Sequence, residues 1–401
     1  MIPMRSIIQH ITPFLAQCKM KILYISALIP QKILDDVLHK KKENYVVAPQ
    51  KFHRNLVNGF VGNGHQIMIL SYLPDCISYI PSLNEDGILY HFCKYTNKPG
   101  IKHMQIAKGI YCRINRLKKQ GFVPDVLICD ILNVSLCLGA LCAGKWLKIR
   151  TAGIVTDLLG ISEHEEKGWI QRVAAKISNS YITAFDYYII LTQQMNDVVN
   201  PHNRPYIVME GLCDAKQLAV SRKGNLKKIF YAGGRPSKDG IDLLVPAFKR
   251  ILDDNLQLNI YGNVPNVSIG PDPEDSRVVY HGLTDNKVIV AEECSSYLLV
   301  NPRPTGEEYT KYSFPSKVME YMSTGVPMVT TRLAGIPEEY YDYVFTFESC
   351  DVDTYYQTLM QILSLPENEL IVKGQRAQDF VLNNKNNLAQ TARIIELIKT
   401  K

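Results

Sequence analysis

Two successive doubly wound α/β domains facing a central cleft are predicted by three observations. The chain has 401 residues and a mass of 45.5 kDa, too long for one ordinary domain and suited to two of about 200 residues each. Short continuous Val/Ile/Leu runs alternate with longer stretches of helical period, which marks parallel strands covered on both faces. The alternation loosens around Cys213 to Lys228 and then starts again.

In order, Lys21 to Ser26 reads as a buried strand and Asn55 to Gly62 as a helix, with Leu56, Phe60 and Val61 on one face. Gly62-Asn63-Gly64 stops that helix, and Gln66 to Leu70 is the next strand. Strands follow at Asp125 to Cys129, Ala152 to Val155, Tyr187 to Leu191 and Tyr206 to Val208. After the break come strand Ile229 to Ala232, a helix from Asp242, and strands Leu256 to Tyr261 and Arg277 to Tyr280. Helix Lys287 to Glu293, strand Tyr297 to Val300, helix Lys317 to Ser323, and strands Met328 to Val329 and Val344 to Phe347 complete the second pass. Residues 1–19 read as a leader (a frayed helix or a start upstream of Met20), 20–212 as the first domain and 213–227 as a linker. Residues 228–385 form the second domain, and 386–401 a closing helix placed to pack back on the first.

Composition excludes several classes. Hydrophobic residues are 46% and charged residues 21%, which is a globular protein with a full core and not a disordered or fibrous chain. Ten cysteines without Cys-x-x-Cys spacing suit free thiols in a reducing cytoplasm. Val126 to Gly144 approaches the ~20 apolar residues of a membrane span. Its Asp130 and Asn133 favour instead a strand ending at Asp130 and a helix from about Val134. Net charge is +6 but uneven: residues 1–210 hold 24 basic and 15 acidic groups, the remainder 21 and 24. Two domains with different partners follow from that split.

The strongest local motif runs from Tyr309 to Pro327. A loop enters a helix whose first turn carries Ser316 and Lys317 after Pro315, and Gly325 closes it. Free amides, the helix dipole and an ammonium make an anion site, phosphate above all. Glu320, one turn in, can accept from sugar hydroxyls; the same string also suits an ordinary capped helix. A second loop follows the strand at Ala232, with Gly233 and Gly234 allowing close approach and Arg235 offering forked donors beside Lys238. The dinucleotide fingerprint and the P-loop are both absent. Asp351-Val352-Asp353 fits a metal-holding Asp-x-Asp but sits where a helix N-cap belongs.

With these residues in view, the chain after Met20 resembles the retaining, nucleotide-sugar-dependent glycosyltransferases of family four. The resemblance rests on the Gly-Gly-Arg loop, Asn301-Pro302-Arg303, Phe314-Pro315-Ser316-Lys317 through Glu320, and Gly325-x-Pro327. Thr156-Asp157, Leu191-Thr192-x-x-Met195-Asn196 and Val208-Met209-Glu210-Gly211 are similar to members that build bacterial surface polysaccharides. It implies the GT-B fold of two Rossmann-like domains and a nucleotide-sugar donor held by Gly233, Gly234, Arg235, Lys238, Arg303, Ser316, Lys317, Val318 and Glu320. The turn Gly282-Leu283-Thr284 falls where members hold the base. Glu320 matches the second Glu of a Glu-x7-Glu element, and Tyr312 stands where the first is expected, with Glu307 and Glu308 nearby. Arg235, Lys238, Glu320 and Asp157 carry the implied catalysis, the cations stabilising the leaving diphosphate without metal or other cofactor.

The acceptor side then falls to the first domain, at Lys51, Arg54, Asp157 and Glu210. The implied acceptor is a glycan or lipid-linked glycan. Basic clusters at Lys40-Lys41-Lys42, at Lys51 to Arg54, and at Arg113, Arg116, Lys118 and Lys119 suit either a solvated helix face or an anionic membrane. No aromatic-basic stripe suggests nucleic acid. A peripheral enzyme on the inner face of the plasma membrane is the expected setting. A nucleotide-sugar 2-epimerase of the same fold, or a catalytically impaired nucleotide-sugar-binding partner, is the alternative.

Overall fold

The computed structural model describes residues 19–41, 48–98, 101–158, 181–214, 218–221, 226–233, 239–265 and 267–400. The leader before Lys19, residues 215–217 and 222–225 of the linker, and Lys42, Gly234, Arg235 and Lys238 lie outside the described residues.

The first domain is built on parallel strands β1 (Lys21–Ile25), β2 (Gln66–Tyr72), β4 (Ile88–Cys93), β5 (Val126–Asp130), β6 (Arg150–Val155), β7 (Tyr187–Ile190) and β8 (Tyr206–Val208). A short antiparallel strand, β3 (Ser82–Glu85), closes one edge, and the order is β3-β4-β2-β1-β5-β6-β7-β8. Alternate residues of β1 go to opposite cores. Ile22 and Tyr24 meet α1 (Gln31–Lys41) and α2 (Ala48–Gly62); Leu23 and Ile25 meet α3 (Ile101–Lys119) and α4 (Val134–Leu147). Both faces being covered is what the unbroken apolar runs require. Asp130 ends β5 and Asn133 caps α4, so the apolar stretch is a strand and a helix. Among the described residues no helix is long and apolar enough to cross a membrane.

The hairpin β3–β4 was not anticipated, although Asp86-Gly87 at its tip announces it. Both residues take positive φ, 51° and 81°, which is the two-residue turn that Asp-Gly favours. Helix α2 also starts seven residues before the expected Asn55, because its first turns lack the apolar period that flags a helix.

Past α5 (Met195–Val199) and β8 the chain crosses to the second sheet, ordered β11-β12-β10-β9-β13-β14-β15. Its strands are β9 (Lys227–Ala232), β10 (Leu256–Tyr261), β11 (Gly270–Pro271), β12 (Val278–Gly282), β13 (Leu298–Asn301), β14 (Met328–Thr331) and β15 (Phe345–Phe347), parallel except β11. Helices α6 (Ile241–Lys249) and α9 (Val352–Ser364) pack on one face. Helices α8 (Ser316–Thr324) and α10 (Glu367–Asn384) pack on the other, and α7 (Asn286–Ser295) lies beside α8. The long α10 had no counterpart in the sequence reading. It crosses α8 so closely that a Cβ on Gly374 would lie 2.2 Å from Gly325 O.

The last helix, α11 (Asn387–Lys399), returns to the first domain. Ile394, Ile395, Leu397 and Ile398 join the core under α2, and Asn63 Nδ2 donates to Leu388 O and Thr391 Oγ1 at 2.9 and 2.8 Å. The two crossings between domains run side by side: Cys213 N donates to Lys385 O at 3.1 Å, and Asn387 N to Cys213 O at 3.0 Å. This junction sets the carboxyl ends of the two sheets face to face, the position at which open α/β sheets bind ligands.

Candidate active site

The site begins at the loops beyond β9, β10 and β12. Gly233 N donates to Tyr261 O and Gly262 N to Gly282 O, at 2.9 and 2.8 Å. The backbones approach so closely that only glycine fits. Gly262 has φ 117°, and a Cβ there would lie 1.8 Å from Gly233 O. Beside this floor the His281 ring stacks on Tyr261, centroids 4.2 Å apart, and its Nε2 lies 2.7 Å from Asn259 Oδ1. The turn Gly282-Leu283-Thr284 continues from it. Leu283 is 82% exposed and Ile269, which packs on Gly282, is 76% exposed. Two apolar side chains therefore border an open turn next to a flat aromatic stack.

Across from that turn stands α8. Its N-cap, Pro315, supplies no side-chain hydrogen bond, so the first turn keeps free amides and an unneutralised dipole. Ser316 is exposed there. Val318 is different from the expectation: its side chain is in the core and its N–H is taken by Pro315 O at 2.9 Å. It has nothing left to offer a ligand.

Lys317 is the unusual residue. Its ammonium is buried, lies 4.8 Å from the Tyr231 ring centre, and has no hydrogen-bond partner among the described residues. Burial lowers its pKa, while the charges of Asp239, Glu320 and Glu293 hold it up. Tyr231 OH in turn donates to Asp239 Oδ2 at 2.8 Å. Arg303 lies over Tyr309 at 4.9 Å, and its Nε has no hydrogen-bond partner among the described residues. Glu320, half-exposed, faces Lys51 of the first domain at 3.8 Å. Behind it Glu293 is 1% exposed, and burial and then the Glu320 charge push its carboxyl up to about 8. A cation without a partner, a second with a free N–H, and an uncapped helix end thus share one region with a poised carboxylate. That set can hold an anion with hydroxyls attached to it.

The first-domain residues divide. Lys51 reaches the cleft. Arg54 is spent within its own domain, with Nη2 donating to Ile29 O at 2.9 Å and Nη1 3.4 Å from Glu85 Oε2. Asp157 is exposed at the end of β6, and its carboxylate accepts from Leu158 N at 2.8 Å. Glu210 is buried at the junction, accepting from Tyr340 OH at 2.7 Å and paired with Lys385 at 2.5 Å. That network makes it an interdomain tie and removes it from the acceptor side. A cavity of about 420 Å³ opens next to it, between Thr192-Gln193-Gln194 and the 334–339 loop. Tyr312 packs on the first domain's apolar cluster, so the residue standing at the expected Glu position makes a domain–domain contact. The Asp351-Val352-Asp353 string is also accounted for: Asp351 caps α9 through Thr354 N, and Asp353 pairs with Arg250.

A buried trio went unread in the sequence. His53 Nε2 lies 3.3 Å from Asp130 Oδ2, and its Nδ1 2.6 Å from Tyr24 OH. The trio fixes α2, and with it Lys51, against the carboxyl ends of β1 and β5. The available signal was an Asp closing an otherwise apolar strand, which requires a polar partner when buried.

Residues 227–364 match the family model described as Glycosyl transferases group 1. No curated protein sequence matches the chain. Among solved structures, the chain is similar to sucrose-phosphate synthase from Thermosynechococcus elongatus, with a TM-score of 0.62, 14% identity, and 94% and 98% of the two chains covered. It is also similar to a UDP-forming trehalose-phosphate synthase from Burkholderia xenovorans, at 0.64 and 9%, covering 96% and 99%. The catalytic domain of Starch Synthase IV from Arabidopsis thaliana aligns at 0.60 and 13%, covering 95% and 99%. The protein therefore has the GT-B fold, and the stretch that matches the group 1 model, residues 227–364, lies in its second half.

Proposed function

We propose that the chain moves a sugar from a nucleoside-diphosphate sugar to a glycan or lipid-linked glycan, with retention at the anomeric carbon and without a metal. The buried ammonium of Lys317, unpartnered among the described residues at the uncapped start of α8 and one turn from Glu320, carries this reading. In it the diphosphate takes the α8 amides and Lys317, Glu320 accepts from the ribose hydroxyls, and the base lies over Gly282 between Leu283 and Ile269. Arg235 and Lys238 join the diphosphate by the family resemblance. Departure of the nucleoside diphosphate builds charge on its β-phosphate, and these cations stabilise that charge in place. Closing the domains excludes water and limits hydrolysis of the donor. Asp157 at the end of β6 and Lys51 face the acceptor, and the polysaccharide route and cytoplasmic setting belong to the same reading. Calorimetry with UDP and GDP tests it: wild type binds one of them, and Glu320→Ala and Arg235→Ala each weaken binding. Unchanged affinity in both variants would overturn the assignment, and mass spectrometry of products with and without acceptor separates transfer from isomerisation.

A further inference from the structure

Helices α3 and α4 lie side by side over one face of the first sheet. Their N-termini meet where His103 Nδ1 and Ser135 Oγ are 2.6 Å apart, and their C-termini where Lys118 Nζ donates to Leu147 O at 2.9 Å. Between these points Gly139 abuts Ala107 O and Ile110. Their inward residues fill one core, so the outward stripes form a common surface. On that surface Met104 is 73% and Trp146 72% exposed, with Ile101 and Leu138 also exposed. Lys108, Arg116, Lys119, Lys145 and Lys148 are exposed around them.

Neither helix contains an Asp or Glu. Residues 101–150 hold nine Lys or Arg and only two acids. Both acids are turned elsewhere: Asp125 accepts from Lys21 N at 2.7 Å, and Asp130 is buried against His53. At the rim Asp75 lies 3.7 Å from Lys102. A large indole and a thioether standing in solvent, ringed by cations with no paired carboxylate among the described residues beyond Asp75, match an anionic bilayer surface in both hydropathy and sign. With 14 residues, α4 is too short to span. The face would lie on the membrane.

We propose that the outer face of α3 and α4 seats the protein on anionic lipid. Met104 and Ile101, in the first turn of α3, are at the end of the face nearest the cleft, because α3 starts beyond the carboxyl end of β4. A membrane-bound acceptor would then meet the cleft without leaving the bilayer. Of the basic clusters, the one at Lys51 and Arg54 is taken up by Glu320 and Glu85, whereas Arg116 and Lys119 of the α3 cluster are exposed.

The test is co-sedimentation with vesicles of phosphatidylcholine alone and with added phosphatidylglycerol, measured with no sugar or nucleotide present. Binding only to the anionic vesicles is expected, weakened strongly between about 0.1 and about 1 M salt. Lys108→Gln with Arg116→Gln and Lys119→Gln should lower the partition constant about 100-fold, at roughly fivefold per surface charge. Trp146→Ala should lower it about tenfold while nucleotide affinity stays unchanged. Trp146 is one of only two tryptophans, so Trp169→Phe leaves it as sole reporter, and a blue shift on vesicle addition is expected. No binding to anionic vesicles, equal binding to neutral ones, or undiminished binding by the charge variant overturns the proposal. A dimer in sedimentation velocity that Trp146→Ala dissolves also overturns it, since a second copy would then cover the face. Because nucleotide calorimetry is independent of vesicles, failure here leaves the donor-site reading intact, and the reverse.

Discussion

Replacing Lys317 by Met should stabilise the ligand-free protein and cripple its hold on nucleotide. The ammonium is buried without a hydrogen-bond partner among the described residues, a state costing at least about 1–3 kcal/mol. Its place over the Tyr231 ring at 4.8 Å returns about 0.5–2 kcal/mol. Methionine keeps the length and the contact with Tyr231 but carries no charge, so a net gain of about 1 kcal/mol is expected, or roughly 2–4 °C in Tm. With a diphosphate present the sign reverses. A charge-assisted hydrogen bond contributes about 1.5–3 kcal/mol, so Kd for UDP or GDP should rise roughly 10- to 150-fold. Thermal melting without ligand and calorimetry with each nucleotide give the two halves of the result. A variant that melts lower than wild type and binds within about twofold of it would show that Lys317 is structural, with the phosphate held elsewhere.

Other outcomes follow from single features. Glu293 titrates near about 8 in the folded chain against 4.5 for an ordinary glutamate carboxyl, so the native state binds the extra proton between those values. Wild-type stability should therefore fall as pH rises through that window, and Glu293→Gln should flatten the Tm profile. Glu210→Gln leaves the Lys385 ammonium with only the exposed Glu339; a loss of about 3 kcal/mol in urea unfolding is expected. Gly262→Ala would set a Cβ against Gly233 O at positive φ, costing about 3 kcal/mol or more and weakening nucleotide binding in calorimetry. Asp351→Ala should cost about 1 kcal/mol through the lost α9 cap and leave nucleotide affinity as it was.

Strand positions were the most legible part of the fold. Runs such as Val126 to Cys129 are apolar on both faces because helices cover both, and that signal is local. Helix α10 escaped because its buried side is interrupted by Gly374 and Gln378, chosen for a close crossing of α8 and for bonds to Ser323 O and Leu218 O. At the site, Glu320 and Lys317 could be read from spacing after a proline, since helix geometry alone places them. Glu210 could not, because its partners Tyr340 and Lys385 are 130 and 175 residues away in the chain. The same holds for His53 and Asp130, which only the tertiary fold makes neighbours.

The return of α11 has a consequence for how the molecule is made. The first domain's core is completed by Ile394, Ile395, Leu397 and Ile398, which are translated more than 370 codons after Lys21 at the start of β1. Until then the groove along α2 lacks its cover, and the backbone at Gly59, which α11 approaches so closely that a Cβ would lie 2.3 Å from Asn387 O, faces nothing. The early half of the chain must therefore wait, partly folded, through the synthesis of the whole second domain. Residues 20–212 expressed alone should bind a hydrophobic dye such as ANS and aggregate, and adding α11 as a separate peptide should suppress both.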